Sequence, residues 1–331
     1  MESSPQASVY LLPRYLEALC GAGGGRFHVL GFFRGEALAA GVALYARQRV
    51  SGTFVSPRLL LYYNGIALPE ERSAFPSVRT ARRTEALSAL VQGLATLGYS
   101  SVHLRNHHSL EDVRAFLAHG WVAEAGYSYV VDLSEGVDLE SCIEPNLRRL
   151  IRRCSDGSVS LVEDEDFASF YELHRVALAR HGGLPYLPRE AFSTFFRQLR
   201  AAGLCRLFHA RHPDGRSVSS QLVLLGPRRT SHTVAAATDP RELGSGVTAW
   251  LRLRVFEALR AGGCAANDLT DASLNSVTHF KSQLGGDLRL CFVLQSPSRT
   301  AFAVHTRLEQ AAWRMRRAAG RSLRRLGMRT R

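Results

Sequence analysis

Hydrophobic periods along this chain follow one order of elements, and that order is written twice. In the first half an apolar run, Phe27 to Phe33, meets a turn at Arg34-Gly35 and a second run from Ala37 to Tyr45, which predicts a β-hairpin. A helical stretch ending at Ala95-Thr96-Leu97-Gly98 then feeds a strand, Ser101 to Leu104. A short helix carrying Phe116 follows, then Gly120-Trp121 and strands to Leu133. The second half opens with two helices, about 166–180 and 189–202, bounded by Gly182-Gly183 and Pro188. Next come the strands Leu204 to Ala210 and Ser217 to Leu225, joined by His212-Pro213-Asp214-Gly215, and a third strand, Ser231 to Ala237. A helix from Val247 to Arg260, a strand from Ala265 to Leu269, a short helix with Phe280, Gly285-Gly286 and a strand from Leu288 to Leu294 complete the repeat. Between the halves, Glu144 to Cys154 reads as a basic helical connector with Arg148, Arg149, Arg152 and Arg153.

With 331 residues, 46% hydrophobic and 21% charged, the chain can bury a full core and fill two α/β units. The predicted boundaries are an N-terminal unit (1–135), the connector (136–156), a C-terminal unit (157–296) and a tail (297–331). No signal sequence or stretch of about eighteen apolar residues is present, so cytoplasmic residence is expected. The six cysteines have no Cys-x-x-Cys spacing, and no metal site is expected. Of the net charge of +13, residues 299–331 carry +9. A basic face with Arg307, Arg314, Arg317, Arg321, Arg324 and Arg325 opposes Leu308, Ala312, Met315, Ala319, Leu323 and Leu326. That is the pattern of a basic amphipathic helix for an anionic membrane surface, such as the inner membrane face; a solvated basic end is the alternative. With the charge concentrated there, no specific nucleic-acid partner is expected.

The strongest local motif is Arg241-Glu242-Leu243-Gly244-Ser245-Gly246, between the third strand and the helix beginning at Val247. Two glycines let the backbone approach a phosphate, and the helix start adds free N–H groups and a positive dipole end. The first half has no glycine at the matching position, Ser77 to Arg83, and has Phe116-Leu117 where the second has Phe280-Lys281. Donor binding is therefore assigned to the second unit, and the first is read as a degenerate copy that shapes the acceptor cleft. The run Gly21 to Gly25 and the pair His107-His108 are read as loops.

Lys281 is the only lysine; the other basic residues among 42 are arginine. Where lysine persists against such a bias, a compact and titratable ammonium is a reason for it, a chance leftover being the alternative.

The doubled element order, the connector Asn146 to Arg153 and the segment Phe280-Lys281-x-x-Leu284-Gly285-Gly286 resemble the FemAB-like transferases of the GNAT superfamily. Tyr62-Tyr63-Asn64-Gly65 is similar to a glycine turn in that family's N-terminal domain. The resemblance implies two tandem GNAT-like mixed-sheet domains followed by the basic tail. It also implies transfer of an acyl group, most simply acetyl from acetyl-CoA, to an amine acceptor such as a small molecule, glycan or peptide in cell-envelope or polysaccharide biosynthesis. Acyl-CoA would be a cosubstrate, its pyrophosphate held by Arg241, Leu243, Gly244, Ser245, Gly246 and Val247. Phe280 and Tyr63 would contact substrate, and Arg148, Arg149, Arg152 and Arg153 a phosphorylated acceptor, unless those arginines form a solvated face paired with Glu163 and Asp164.

Acyl transfer needs a deprotonated amine, a stabilised oxyanion and a reprotonated leaving group. Asp268 and Asp271 are candidate bases, with Asp271 also a candidate helix N-cap. Lys281 could hold the oxyanion or a substrate anion, or protonate the leaving group, and His232 lies close by. Many GNAT enzymes use a tyrosine for that last step, and none occurs after Tyr186. Two alternatives stand beside this reading: an aminoacyl-tRNA-dependent transferase acting on a peptidoglycan precursor, and a non-catalytic membrane- or nucleic-acid-binding protein.

Overall fold

A computed structural model describes residues 2–57, 60–155, 159–180 and 182–297. The tail beyond residue 297, with its expected amphipathic helix, lies outside the described residues.

The first half runs α1 (Pro13–Gly23), β1 (Arg26–Arg34), β2 (Ala37–Arg49), β3 (Gly52–Val55), β4 (Ile66–Ala67), α2 (Pro76–Thr96), β5 (Ser101–Arg105), α3 (Arg114–Ala118) and β6 (Val122–Asp132). Pro13 and Pro76 sit at helix starts, where a missing N–H costs nothing. The glycine run expected to be a loop is instead the end of α1. Gly21 to Gly23 are helical, and Gly24 and Gly25, at φ 67° and 94°, lead into β1. The connector forms α4 (Leu139–Cys142) and α5 (Pro145–Ser155). The second half runs β7 (Ser160–Glu163), α6 (Phe167–Arg180), α7 (Arg189–Ala201), β8 (Cys205–Arg211), β9 (Ser217–Leu225), β10 (Thr230–Thr238), α8 (Val247–Ala261), β11 (Ala266–Asp268), α9 (Ser276–Ser282) and β12 (Asp287–Gln295).

The strands form one sheet in the order β1-β2-β3-β5-β12-β6-β11-β10-β9-β8-β7, with β4 also paired to β2. In each half three strands run antiparallel and a fourth joins in parallel, β5 on β3 and β11 on β10. The final strands are exchanged. β12 of the second half pairs with β5 of the first, β6 of the first pairs with β11 of the second, and β6 and β12 pair with each other from Asp287↔Val130 to Gln295↔Val122. One core is shared as well: Val9, Tyr10, Tyr15, Leu16 and Leu19 pack with Phe170, Phe192, Phe195, Phe196, Leu207 and Leu222. Among the described residues no helix is long and apolar enough to cross a membrane.

Shared strands and a shared core predict one cooperative unfolding transition. Phe195→Ala, at a fully buried ring in that core, should cost about 3–5 kcal/mol and lower the melting temperature of the whole described body. Calorimetry that resolves two transitions, one of them unmoved by the substitution, would contradict the shared core.

Candidate active site

β10 and β11 pair only from Thr230↔Ala266 to His232↔Asp268, and then part. β10 continues to Thr238, with a register shift between Thr233 and Ala235 against β9 that sets Val234 apart. The result is a wedge in the sheet, where the β10 carbonyls of Thr233 and Val234 accept from Thr270 Oγ1 at 3.0 Å and from Tyr186 Oη at 3.5 Å. The corresponding place in the first half is sewn shut: Asn64 receives the Arg105 N–H at 2.9 Å and gives its own N–H groups to the carbonyls of His103 (2.9 Å) and Arg105 (3.2 Å). Asn106 adds a bond from the Ile66 N–H at 3.0 Å, and a Cβ on Gly65 would run into it.

Asp268 lies at the closed end of the open wedge and is 1% exposed. Its carboxylate accepts from Tyr63 Oη at 2.7 Å, from the Ser128 hydroxyl, and from the Thr270 N–H at 2.7 Å. A carboxylate so enclosed and so occupied braces the two halves; it is not a base open to an incoming amine, which corrects that expectation. Tyr63 likewise holds Asp268 in place of presenting a free hydroxyl to substrate. His232 sits beside the pair, its Nδ1 3.8 Å from Asp268 and its ring edge-on to Tyr10. Burial pushes its pKa down, so it is neutral, and neither ring nitrogen has a partner among the described residues.

After Asp268 the chain turns through Thr270 and Asp271, at φ 49° and 41°, a left-handed pair that β-branched threonine rarely adopts. The turn aims both carbonyls at Lys281, whose Nζ donates to Thr270 O and, at 2.8 Å, to Asp271 O. Thr270 Oγ1 in turn donates to Thr233 O on β10 at 3.0 Å, which places the lysine tip at the wedge. Burial foremost, and then the Arg252 charge, depress the Lys281 pKa to about 8. Asp271 keeps an accessible carboxylate that accepts from Ser273 Oγ at 2.8 Å and faces Arg105 at 3.9 Å. It is not a helix cap: α9 starts later, capped by Asn275 on the Thr278 N–H at 3.0 Å.

The glycine turn lies at the start of α8. Gly246 takes φ 88°, Ser245 Oγ accepts from the Val247 N–H at 3.3 Å, and Leu243 is exposed. The close approach at Gly246 is to α5, not to open space, because a Cβ there would stand 2.5 Å from the Leu150 carbonyl oxygen. Gly244 has nothing within 4 Å of where its Cβ would be. Arg241, 76% exposed, forks onto Asp239 (Nη2 at 2.7 Å, Nε at 3.1 Å), and that hydrogen-bonded guanidinium draws the Asp239 pKa down to about 2.

Arg149, Arg152 and Arg153 line an open hollow of about 730 Å³ with Asn146 and Leu150, and Arg148 is half-buried nearby. The alternative pairing of these arginines with Glu163 and Asp164 does not occur: Glu163 binds Arg206 at 2.6 Å and Asp164 binds Arg211 at 2.8 Å. Phe280 packs on the core that contains Val247 and Leu147. Sequence reasoning missed Ser128, Arg105 and Arg252. The first two arrive through strand exchange, whereas Arg252 carried a signal, a charge among Trp250, Leu251, Leu253 and Val255 on the buried side of α8.

An open wedge between parallel strands, a glycine turn at the following helix and a polar side chain from the next short helix are the parts of one known architecture. Residues 144–282 match the family described as acetyltransferase (GNAT) domain. Those residues thus match a GNAT-type acetyltransferase domain, within a fold that as a whole is similar to FemX and to a tandem GNAT protein. FemX is similar over 88% of this chain and 93% of its own, at TM-score 0.68 and 13% identity. The C-terminal domain of a putative lysylphosphatidylglycerol synthetase from Agrobacterium fabrum is similar over 88% and 92%, at TM-score 0.55 and 11% identity. A tandem GNAT protein from the clavulanic acid biosynthesis pathway is similar over 84% and 85%, at TM-score 0.50 and 14% identity. No curated protein sequence matches the chain.

The two GNAT-turn glycines should respond differently to substitution. Gly246→Ala meets both a positive φ and the Leu150 carbonyl, so a loss of about 1–3 kcal/mol is expected. Gly244→Ala should leave the denaturation midpoint unchanged. Equal midpoints for both variants would show that α5 does not rest on this turn.

Proposed function

We propose that the chain is an N-acyltransferase that moves an acyl group from acyl-CoA to an amine acceptor in cell-envelope or polysaccharide biosynthesis. One observation carries the reading: the second half alone keeps its wedge open, with a glycine turn at one end and the lone lysine at the other. The donor would lie along the free edge of β10, its phosphates toward Gly244, Ser245 and the start of α8, and its carbonyl toward Lys281. The acceptor nitrogen attacks that carbonyl, the C–S bond breaks, the amine loses a proton and the thiolate gains one. Lys281, as an ammonium, donates to the oxyanion and supplies the leaving-group proton. Asp271, the accessible carboxylate of the turn, takes the proton from the amine. Cytoplasmic residence, with the basic tail against the inner membrane face, belongs to the same reading, as does an acceptor phosphate on Arg148, Arg149 and Arg152.

A second reading, with aminoacyl-tRNA as donor, is favoured by α5 lying on Gly246, which narrows the seat for a diphosphate, and by the likeness to FemX. Calorimetry separates the two. Heat with coenzyme A, lost in Gly244→Glu while the melting temperature holds, supports the first. No heat with millimolar coenzyme A or acyl-CoA, together with binding of aminoacyl-tRNA, overturns it in favour of the second.

Lys281 titration gives a further test. The ammonium form is required and its pKa is depressed to about 8, so kcat/KM should fall as pH rises through about 8. Lys281→Arg, permanently charged but unable to give up a proton, should lose that limb and at least about tenfold in rate. A rate kept in Lys281→Arg with the limb lost would show that charge alone suffices, and a limb that persists would show that it does not belong to Lys281.

A further inference from the structure

Arg105 ends β5 in the first half, yet its guanidinium reaches the turn beside the open wedge of the second. Its backbone is fixed on both sides: the N–H donates to Asn64 Oδ1 at 2.9 Å, the carbonyl accepts from the Asn64 N–H at 3.2 Å, and the residue pairs with Val293 of β12. The guanidinium lies over the Tyr62 ring at 4.5 Å, and Tyr62 Oη donates to Tyr127 O on β6 at 2.9 Å. From this platform Arg105 Nη1 faces Asp271 Oδ1 at 3.9 Å, and Asp271 O holds Lys281 Nζ at 2.8 Å. Contacts thus run from the lysine, through the carboxylate assigned as base, to the arginine.

The ion pair is left open. A separation of 3.9 Å is too long for a hydrogen bond, Asp271 Oδ1 accepts from Ser273 Oγ instead at 2.8 Å, and Arg105 Nη1 has no hydrogen-bond partner among the described residues. Two arginines of equal enclosure are provided for: Arg206, at 21% side-chain exposure, meets Glu163 at 2.6 Å, and Arg211, at 22%, meets Asp164 at 2.8 Å. Arg105 is also 21% exposed and Asp271 is 50% exposed, so part of each side chain is open to solvent. A guanidinium fork and a carboxylate, fixed side by side with bonding capacity left over, are the two receptors that a zwitterion needs.

We propose that Arg105 binds the carboxylate of the acceptor while Asp271 receives its amine, so that the acceptor is an amino acid with the two groups joined through one or two carbons. Each group would sit about 2.7–3.2 Å from its receptor, and receptors 3.9 Å apart therefore suit groups that are close neighbours in the ligand. The proposal rests on the reading of Asp271 and Lys281 as the transfer site. The acceptor carboxylate takes no part in the bond changes of that reading and serves to place the nitrogen.

Calorimetry of the full chain with glycine, β-alanine, D-alanine and the standard L-amino acids, each beside its amide, reads this contact without a donor. An amide keeps the amine and lacks the carboxylate. At least one amino acid should bind about tenfold or more tightly than its amide, and Arg105→Met should abolish that ratio. Should that variant not fold, Arg105→Gln, which keeps a polar side chain without the charge, takes its place. Thiol release from acetyl-CoA with the same ligand pairs reads transfer, and there the loss in the Arg105 variant should fall on KM.

No amino acid preferred over its amide, or a ratio that survives in the Arg105 variant because both ligands weaken alike, overturns the carboxylate contact. Where that protein still transfers acetyl to an amine, the transfer reading stands; where it does not, both fall. A ratio present in the parent and lost in the variant, without transfer from acetyl-CoA, upholds the acceptor site and overturns the acetyl-CoA donor.

Discussion

The antiparallel ladder between β6 and β12, running from Asp287↔Val130 to Gln295↔Val122, is the constraint on which the rest depends. Because each half gives its last strand to the other, neither half completes its sheet alone. The other edge of β6 pairs with β11 as far as Asp268↔Val130, which brings Ser128 to Asp268, and Tyr63 reaches the same carboxylate from the first half. That carboxylate holds the Thr270 N–H, and the turn it anchors holds Lys281. Geometry at the lysine is thus set by residues more than 150 positions away in sequence, and the first half completes the second.

Two wedges built by the same topology have opposite fates, and hydrogen bonding explains why. In the first half Asn64 and Asn106 satisfy the backbone groups that the parting strands would leave free, and Gly65 allows the close approach this requires. In the second half Thr270 meets Thr233 O, while β10 beyond that point runs on past the end of β11. An unpaired strand edge inside a protein calls for a partner, and a ligand with amide groups is one. The Lys281 ammonium, held by the turn that bonds to this strand, gives the opening a positive sign.

Periodicity made the architecture legible. The β1–β2 and β8–β9 hairpins, α6, α7 and α8 fall where apolar spacing and turn residues put them, because those signals are local. Strand exchange is not local: nothing in residues 122–132 or 287–295 says that each ladder will form across the halves. The same reason hid the bracket at Asp268, whose tyrosine and serine partners lie in the other half. Lys281 stood out by rarity, yet its immediate contacts are carbonyls made available by two left-handed residues, a backbone state that Thr270-Asp271 does not advertise. Gly246 was read as room for a ligand, whereas its space is taken by α5, since a glycine records a close approach without recording by what.

The central claim is that the opening between β10 and β11 in the second half, and no other part of the sheet, receives the donor beside Lys281. A crystal structure of the full chain with a non-hydrolysable acyl-CoA analogue tests it most directly. The account predicts the pantetheine along the free edge of β10 with its carbonyl surrogate within hydrogen-bond distance of Lys281 Nζ. Density for the analogue in the first half, or on the surface with the wedge still empty, would contradict it.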